Sequence, residues 1–235
     1  KMREGASGEE TLQQLLEILK SQGTNKSIEE QMKDAYESKP GLITSACCSD
    51  LVPSFYFMLF TDFQLRPRPA AFSDPYRFRY IDEKSEFVLD LSSFLTLSER
   101  YFFIGKPFKT KFVISKYLRS IIEKFCDTIM YNPSLLMHKV LSAEKIYRFG
   151  EDDRQNMELR IEALRKFLYD FCVDESVPLP KETFNNLRSE THLLFLNTIM
   201  LLQENRVLIT EDWWQSSVLQ GRILTVDTHE FLNLQ

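Results

Sequence analysis

The stretch KFVISKYLRSIIEKFCDTI, from Lys111 to Ile129, carries the clearest helical pattern in the chain. Its apolar residues recur every three or four positions, which places them on one side of an α-helix. They are Val113, Tyr117, Leu118, Ile121, Ile122, Phe125 and Ile129. Most of its charged residues fall on the opposite side. This spacing predicts an amphipathic helix that packs against a hydrophobic core.

Helical signals continue on both sides of this stretch. Asp82 is predicted to begin one helix, with Phe87 and later apolar residues on its inner side. Asn132 and Pro133 combine a helix cap with a residue favoured at the first helical position, so we predict a second helix from Pro133 to Gly150. A long helix is predicted to open near Asp152. Its inward-facing residues are Met157, Ile161, Leu164, Leu168 and Phe171.

These patterns together predict an all-α fold. We expect about eight to ten helices, stacked irregularly as in HEAT-like or bundle scaffolds. Two short apolar runs, Val207–Ile209 and Arg222–Val226, allow the alternative of a small terminal β-hairpin. No sequence repeat of fixed period is present, so no regular solenoid family is indicated.

One long segment, TDFQLRPRPAAFSDPYRFRYI at residues 61–81, breaks the helical pattern. Its three prolines fix φ and remove N–H donors, so no helix runs through it. It also holds four arginines and five aromatic residues, which are side chains that dominate binding hot spots. The predicted organisation is therefore N-terminal helices over residues 1–60, an extended insert over 61–82 and a main helical body over 83–235.

The extended insert and one tryptophan pair are the predicted protein-binding residues. Neighbouring helical positions point about 100° apart. One indole of Trp213-Trp214 is therefore expected to anchor the body and the other to lie at an interface, unless both are partly buried. The candidate partner-binding residues are Arg66, Arg68, Phe72, Tyr76, Arg77, Phe78, Arg79, Tyr80, Trp213 and Trp214.

Charge is distributed unevenly. Residues 100–124 contain seven basic and one acidic residue, whereas residues 144–235 contain ten basic and sixteen acidic ones. A basic helix face suits contact with phosphates, and the candidate nucleic-acid-binding residues are Lys106, Lys109, Lys111, Lys116 and Arg119. The net charge of −5 and the lack of a known nucleic-acid-binding motif argue against this interpretation. A solvated helix face is the simpler explanation.

No motif for catalysis, cofactor binding or metal binding is present. The glycines lack the spacing of a phosphate-binding loop, and His138, His192 and His229 are each isolated in the sequence. The four cysteines form no CxxC pair, which is typical of free thiols in a reducing compartment. No apolar run is long enough to span a membrane.

We therefore expect a non-enzymatic scaffold or adaptor domain that binds another protein subunit in a larger complex, in the cytoplasm or nucleus. No cofactor is expected, and no membrane insertion. The alternative is a helical module that binds DNA or RNA through the face from Lys106 to Lys124. An enzyme with an unrecognised site is a third interpretation, because fold does not exclude activity. A first residue of Lys1 is consistent with a piece of a longer protein.

Overall fold

A parallel β-sheet organises the described part of the chain. The computed structural model describes residues 79–131, 135–140, 143–148, 151–177, 190–202, 205–212, 215–216, 219 and 223–234. Five parallel strands with helices make these residues an α/β fold, so the predicted all-α, helical-repeat-like fold is wrong. The predicted N-terminal helices over 1–60 and most of the insert over 61–82 lie outside the described residues.

The described part of the chain contains seven strands and five helices. The strands are β1 (Glu86–Leu89), β2 (Phe112–Ser115), β3 (Leu135–Val140), β4 (Ala143–Arg148), β5 (Cys172–Glu175), β6 (Arg206–Ile209) and β7 (Thr225–Val226). The helices are α1 (Leu91–Ile104), α2 (Lys116–Tyr131), α3 (Glu151–Phe171), α4 (Glu190–Leu201) and α5 (Thr228–Leu234).

The main sheet has the strand order β5-β2-β1-β6-β7, and every neighbouring pair is parallel. Phe87 in β1 lies opposite Phe112 in β2 and Val207 in β6. The chain thus builds the sheet outward from β1 on one side and then returns to build the other side. The order in which strands are added therefore reverses between β1 and β6, although all five strands are parallel. Strands β3 and β4 form a separate antiparallel pair.

The central strands are buried on both faces of the sheet. Phe87, Phe112 and Val207 belong to the larger core cluster, to which α1, α3 and α5 contribute. Val88, Val113 and Leu208 face a smaller cluster that includes Leu201 at the end of α4. Aromatic rings fill the larger cluster with edge-to-face contacts, such as Phe112 with Phe231 of α5 at 5.4 Å between centroids.

Burial on both faces explains why the sequence pattern of β1 and β2 predicts helices. Such strands are continuous apolar runs without alternation, and a short run of this kind fits a helical spacing as well. Strand β2 leads directly into α2, so Val113 lies four residues before Tyr117, which is also the spacing of residues on one side of a helix. Asp82 forms a turn rather than a helix: its backbone carbonyl accepts a hydrogen bond from the Ser85 N–H (3.1 Å), and its side chain accepts one from the Lys84 N–H (2.9 Å).

Two further predictions are corrected. The segment from Pro133 to Gly150 contains the strand pair β3–β4 instead of a helix. Strands β6 and β7 coincide with the two apolar runs near the C-terminus, but they are parallel neighbours in the main sheet, so they do not form a hairpin. Because the two strands are parallel, the chain returns to the amino edge of the sheet before β7 begins.

A buried arginine links β1 and β6, the two strands between which the strand order reverses. Arg206 opens β6, and its side chain is only 7% exposed. Its guanidinium donates to Glu86 of β1 (2.8 Å), to Glu175 of β5 (2.7 Å) and to the Leu201 carbonyl (2.9 Å). Burying this charge is tolerated because three elements supply acceptors for it.

We expect Arg206→Met to lower the free energy of unfolding by about 2–3 kcal/mol, as measured by urea denaturation. The loss falls below the range for fully buried pairs because Glu86 and Glu175 are 49% and 39% exposed. Arg165→Met is the matched control, since its ion pair with Asp127 lies at the surface. The control should lose less than about 1 kcal/mol. Equal losses in both variants would contradict a structural role for Arg206.

Candidate functional site

The reversal between β1 and β6 marks the candidate site. In open α/β sheets, ligands bind outside the carboxyl ends of the strands where the strand order reverses. Leu89 and Ile209 are paired at this edge of the sheet. The residues that follow them are polar yet buried: Asp90 is 2% exposed, and Thr210 and Glu211 are each 5% exposed. Buried polar groups at this position need partners, and those partners define what the site can do.

Asp90 closes the N-terminus of α1. Its carboxylate accepts a hydrogen bond from the Ser93 N–H (2.8 Å), and the Ser93 hydroxyl accepts one from the Asp90 N–H (3.1 Å). This reciprocal arrangement is a capping box. The helix ends at Gly105, which adopts a left-handed conformation with φ of 67°.

Three hydroxyl groups surround the Asp90 carboxylate. Ser92 (2.9 Å), Ser93 (2.8 Å) and Thr210 (2.7 Å) each donate to it. Each hydroxyl in turn accepts a backbone N–H, from Glu211, Asp90 and Asp212 respectively. The three hydroxyl protons are therefore directed at Asp90. Burial raises the pKa of Asp90, and these donors oppose that effect by stabilising the ionised form.

Glu211 extends the network to the last helix. One of its carboxylate oxygens, Oε1, accepts hydrogen bonds from the Thr228 N–H (2.8 Å) and the Thr228 hydroxyl. The other oxygen, Oε2, is buried and has no hydrogen-bond partner among the described residues. Burial raises the pKa of Glu211, the Thr228 hydrogen bonds lower it, and the charges of Asp227 and Asp90 raise it further. The carboxyl edge between β1 and β7 is thus acidic and closed.

This arrangement is unsuited to phosphate groups. A helix N-terminus binds anions when its N–H groups are open and the local charge is positive. At α1 that position is filled by the Asp90 carboxylate, and Glu211 lies beside it. Among the described residues, no group of three or more His, Cys, Asp or Glu side chains is arranged to hold a metal ion.

The structure separates the predicted nucleic-acid-binding residues. Lys106 and Lys109 are exposed on the loop from α1 to β2, at the amino edge of the sheet. Lys111 lies at the same edge and donates to the Asp170 carbonyl. Lys116 begins α2 at the opposite edge, about 16 Å away at about 3.3 Å per strand residue. Arg119 pairs with Glu123 (3.1 Å) and Asp174 (2.6 Å). The predicted single basic helix face is therefore interrupted by β2.

Two of the predicted partner-binding residues are described. Arg79 and Tyr80 form a short helical turn that precedes β1, and Tyr80 is 79% exposed. The other predicted partner-binding residues lie outside the described ranges: Arg66, Arg68, Phe72, Tyr76, Arg77, Phe78, Trp213 and Trp214. The assignment of these residues to partner binding therefore stays a prediction.

The sequence interpretation missed the residues of the carboxyl edge. Asp90, Ser92 and Ser93 follow the apolar run of β1, and Thr210 with Glu211 follows that of β6. Polar residues directly after a buried strand were the available signal. The sequence pattern hides this signal, because it predicts that the β1 run belongs to a helix and that the β6 run belongs to a hairpin.

The comparisons with known proteins supply no relative. No protein-family model, no curated protein and no solved structure matches the chain.

Within the described ranges, none of the helices combines the length and apolar character needed to cross a membrane. Cys126 and Cys172 are free and buried. Burial raises the pKa of Cys126 to about 11, so this thiol is a poor nucleophile at neutral pH.

We expect Thr210→Val to lower the free energy of unfolding by about 1–3 kcal/mol, because Asp90 loses a donor and the Asp212 N–H loses an acceptor. Thr128→Val on α2 is the matched control, since the Thr128 hydroxyl bonds only to the exposed Lys124 carbonyl of its own helix. Urea denaturation of both variants would measure the difference. A Thr210 variant as stable as the control would show that the network contributes little to stability.

Proposed function

We propose that this chain is a non-enzymatic protein-interaction domain, a scaffold or adaptor of a larger complex in the cytoplasm or nucleus. One observation carries the proposal: the Asp90 carboxylate and its hydroxyl partners fill the place where sheets of this topology hold small ligands. A site filled by the protein's own side chains favours recognition through an outer surface over chemistry in a cleft.

The amino edge of the sheet offers such a surface. Tyr80 precedes β1, and α1 runs back from the carboxyl edge, so its last residues Phe103 and Ile104 lie at the amino edge as well. These three side chains are 79%, 65% and 49% exposed. Exposed aromatic residues are frequent anchors of protein interfaces. We call Tyr80, Phe103, Ile104, Lys106 and Lys109 the amino-edge surface.

The chemistry of the amino-edge surface favours a particular kind of partner. Lys106 and Lys109 are exposed on the loop that follows Ile104. Aromatic side chains beside lysines complement an apolar segment flanked by acidic residues. Such a partner would use the aromatic groups for affinity and the lysines for orientation.

Binding of DNA or RNA is the second candidate function, and it has less support. Its predicted lysines lie on two opposite edges of the sheet, and Arg119 is engaged by two carboxylates. Only Lys106, Lys109 and Lys111 share an edge. Three phosphate contacts would give weak binding that declines with salt.

The proposal predicts that Tyr80→Ala and Phe103→Ala weaken capture of a protein partner at least about tenfold, because aromatic anchors contribute disproportionately to interface affinity. The measurement is affinity purification from nuclease-treated cell extract, followed by titration of the recovered partner. Tyr169→Ala is the matched control, because Tyr169 is 59% exposed but contacts Arg119 and Glu123 of α2 and is not one of the five residues of the amino-edge surface.

Each result of this experiment is decisive. Loss with both amino-edge variants and retention with Tyr169→Ala would support the proposal. Retention with all three variants would remove the amino-edge surface from the interface. Partners that disappear after nuclease treatment, and that Lys106→Glu with Lys109→Glu also removes, would favour nucleic-acid binding instead.

A further inference from the structure

One arginine connects α3 to the exposed end of α1. The Arg160 guanidinium lies over the rings of Phe102 and Phe103, at 5.8 Å and 5.6 Å from their centroids. The two rings pack edge to face at 5.0 Å between centroids. The electron-rich faces of aromatic rings attract a cation in this position. Because Phe103 belongs to the amino-edge surface, Arg160 adjoins the surface that we propose binds a partner.

Arg160 contacts the carboxylate of Glu99 on α1, and this contact is long. The distance from Arg160 Nη1 to Glu99 Oε1 is 3.3 Å, whereas Arg165 on the same helix pairs with Asp127 at 2.6 Å. Strong hydrogen bonds between ionised groups are shorter, at about 2.7–2.9 Å. Burial raises the pKa of Glu99, and the charge of Arg160 opposes that rise without cancelling it. The Glu99 carboxylate is therefore held weakly on Arg160.

A surface cavity lies beside this ion pair. It is lined by Ser98, Glu99, Phe102, Arg160 and Leu164, and its volume is about 230 Å³, open to solvent. Pockets for cofactors and other small molecules are larger, at roughly 300–1,000 Å³. The walls combine an aromatic ring, an aliphatic side chain and a cation. A cavity of this size and lining suits one side chain of a partner better than a whole small molecule.

The charges around the end of α1 favour an acidic partner. Arg100 is exposed and precedes Phe103 and Ile104 by three and four residues, so these side chains share one side of the helix. Lys106 is exposed on the loop that follows. With Arg160, three cations surround two exposed apolar residues, whereas the ion pair supplies one carboxylate. A segment that carries both acidic and apolar side chains complements this arrangement.

We propose that Arg160 is a receptor for a carboxylate side chain of the protein partner, and that Glu99 occupies the receptor until the partner binds. This role rests on the proposed protein-interaction function, and it specifies the partner: a segment with Asp or Glu next to an apolar residue. The partner's carboxylate replaces Glu99 on Arg160, and its apolar residue packs on Phe103. Glu99 itself demonstrates that a carboxylate fits this position.

Selection of peptides from a phage-displayed library on the full chain is the test, because it reveals the preferred chemistry without a known partner. We expect the selected peptides to be enriched in Asp or Glu next to Phe, Leu or Trp. The strongest peptide is then synthesised with a fluorescent label. Its affinity for the native protein and for each variant is measured by fluorescence anisotropy.

Two substitutions should change this affinity in opposite directions. Arg160→Met removes the receptor cation and should weaken binding at least about tenfold, because a hydrogen bond to a charged group is lost. Glu99→Gln removes the competing carboxylate and should strengthen binding about threefold or more. An ion pair that only stabilises the fold would give no such gain. Arg165→Met is the matched control and should leave the affinity unchanged, because its ion pair lies on the same helix but outside the cavity.

The outcomes separate this role from the proposed function. A loss with Arg160→Met together with a gain with Glu99→Gln would support a carboxylate receptor. A library that yields no peptide, peptides without acidic residues, or an affinity that Glu99→Gln does not raise would overturn it. If Tyr80→Ala still abolishes binding of such non-acidic peptides, the amino-edge surface remains an interface. Acidic peptides that depend on Arg160 but not on Tyr80 or Phe103 would support the receptor and remove the amino-edge surface from the interface.

Discussion

The Asp90 carboxylate is the group on which the geometry of the carboxyl edge depends. It caps α1 through the Ser93 N–H, and it receives the Thr210 hydroxyl from the strand on the other side of the reversal. A buried carboxylate is costly without donors, so its burial requires Ser92, Ser93 and Thr210 to direct their protons toward it. This single requirement aligns the start of α1 with the end of β6.

The pair β1–β6 is linked by side chains at both of its ends. At the amino end, Arg206 of β6 binds Glu86 of β1. At the carboxyl end, Thr210 after β6 binds Asp90 after β1. Parallel strands cannot be joined by a short turn, so contacts of this kind help to set their register. Both links join β1 and β6, the strands between which the strand order reverses.

The two edges of the sheet have different chemical character. The carboxyl edge is acidic and enclosed, because Asp90 and Glu211 are both buried there. Hydroxyl and backbone groups donate to the Asp90 carboxylate and to Glu211 Oε1. The amino edge exposes Tyr80, Phe103 and Ile104. A closed carboxyl edge stabilises the fold, whereas exposed aromatic side chains can contact a partner without disturbing the core. This division supports the proposed role in protein interaction.

The sequence by itself determined helix α3: the five apolar residues predicted on its inner side, from Met157 to Phe171, are all buried. Helix packing follows from spacing along one segment, which a sequence displays directly. Only the tertiary structure decided that the runs in β1 and β2 are strands and that the run in β6 belongs to a parallel sheet, since ladder partners such as Phe87 and Val207 are distant in sequence. The carboxyl-edge network was hidden for the same reason, because Asp90 and Thr210 are 120 residues apart.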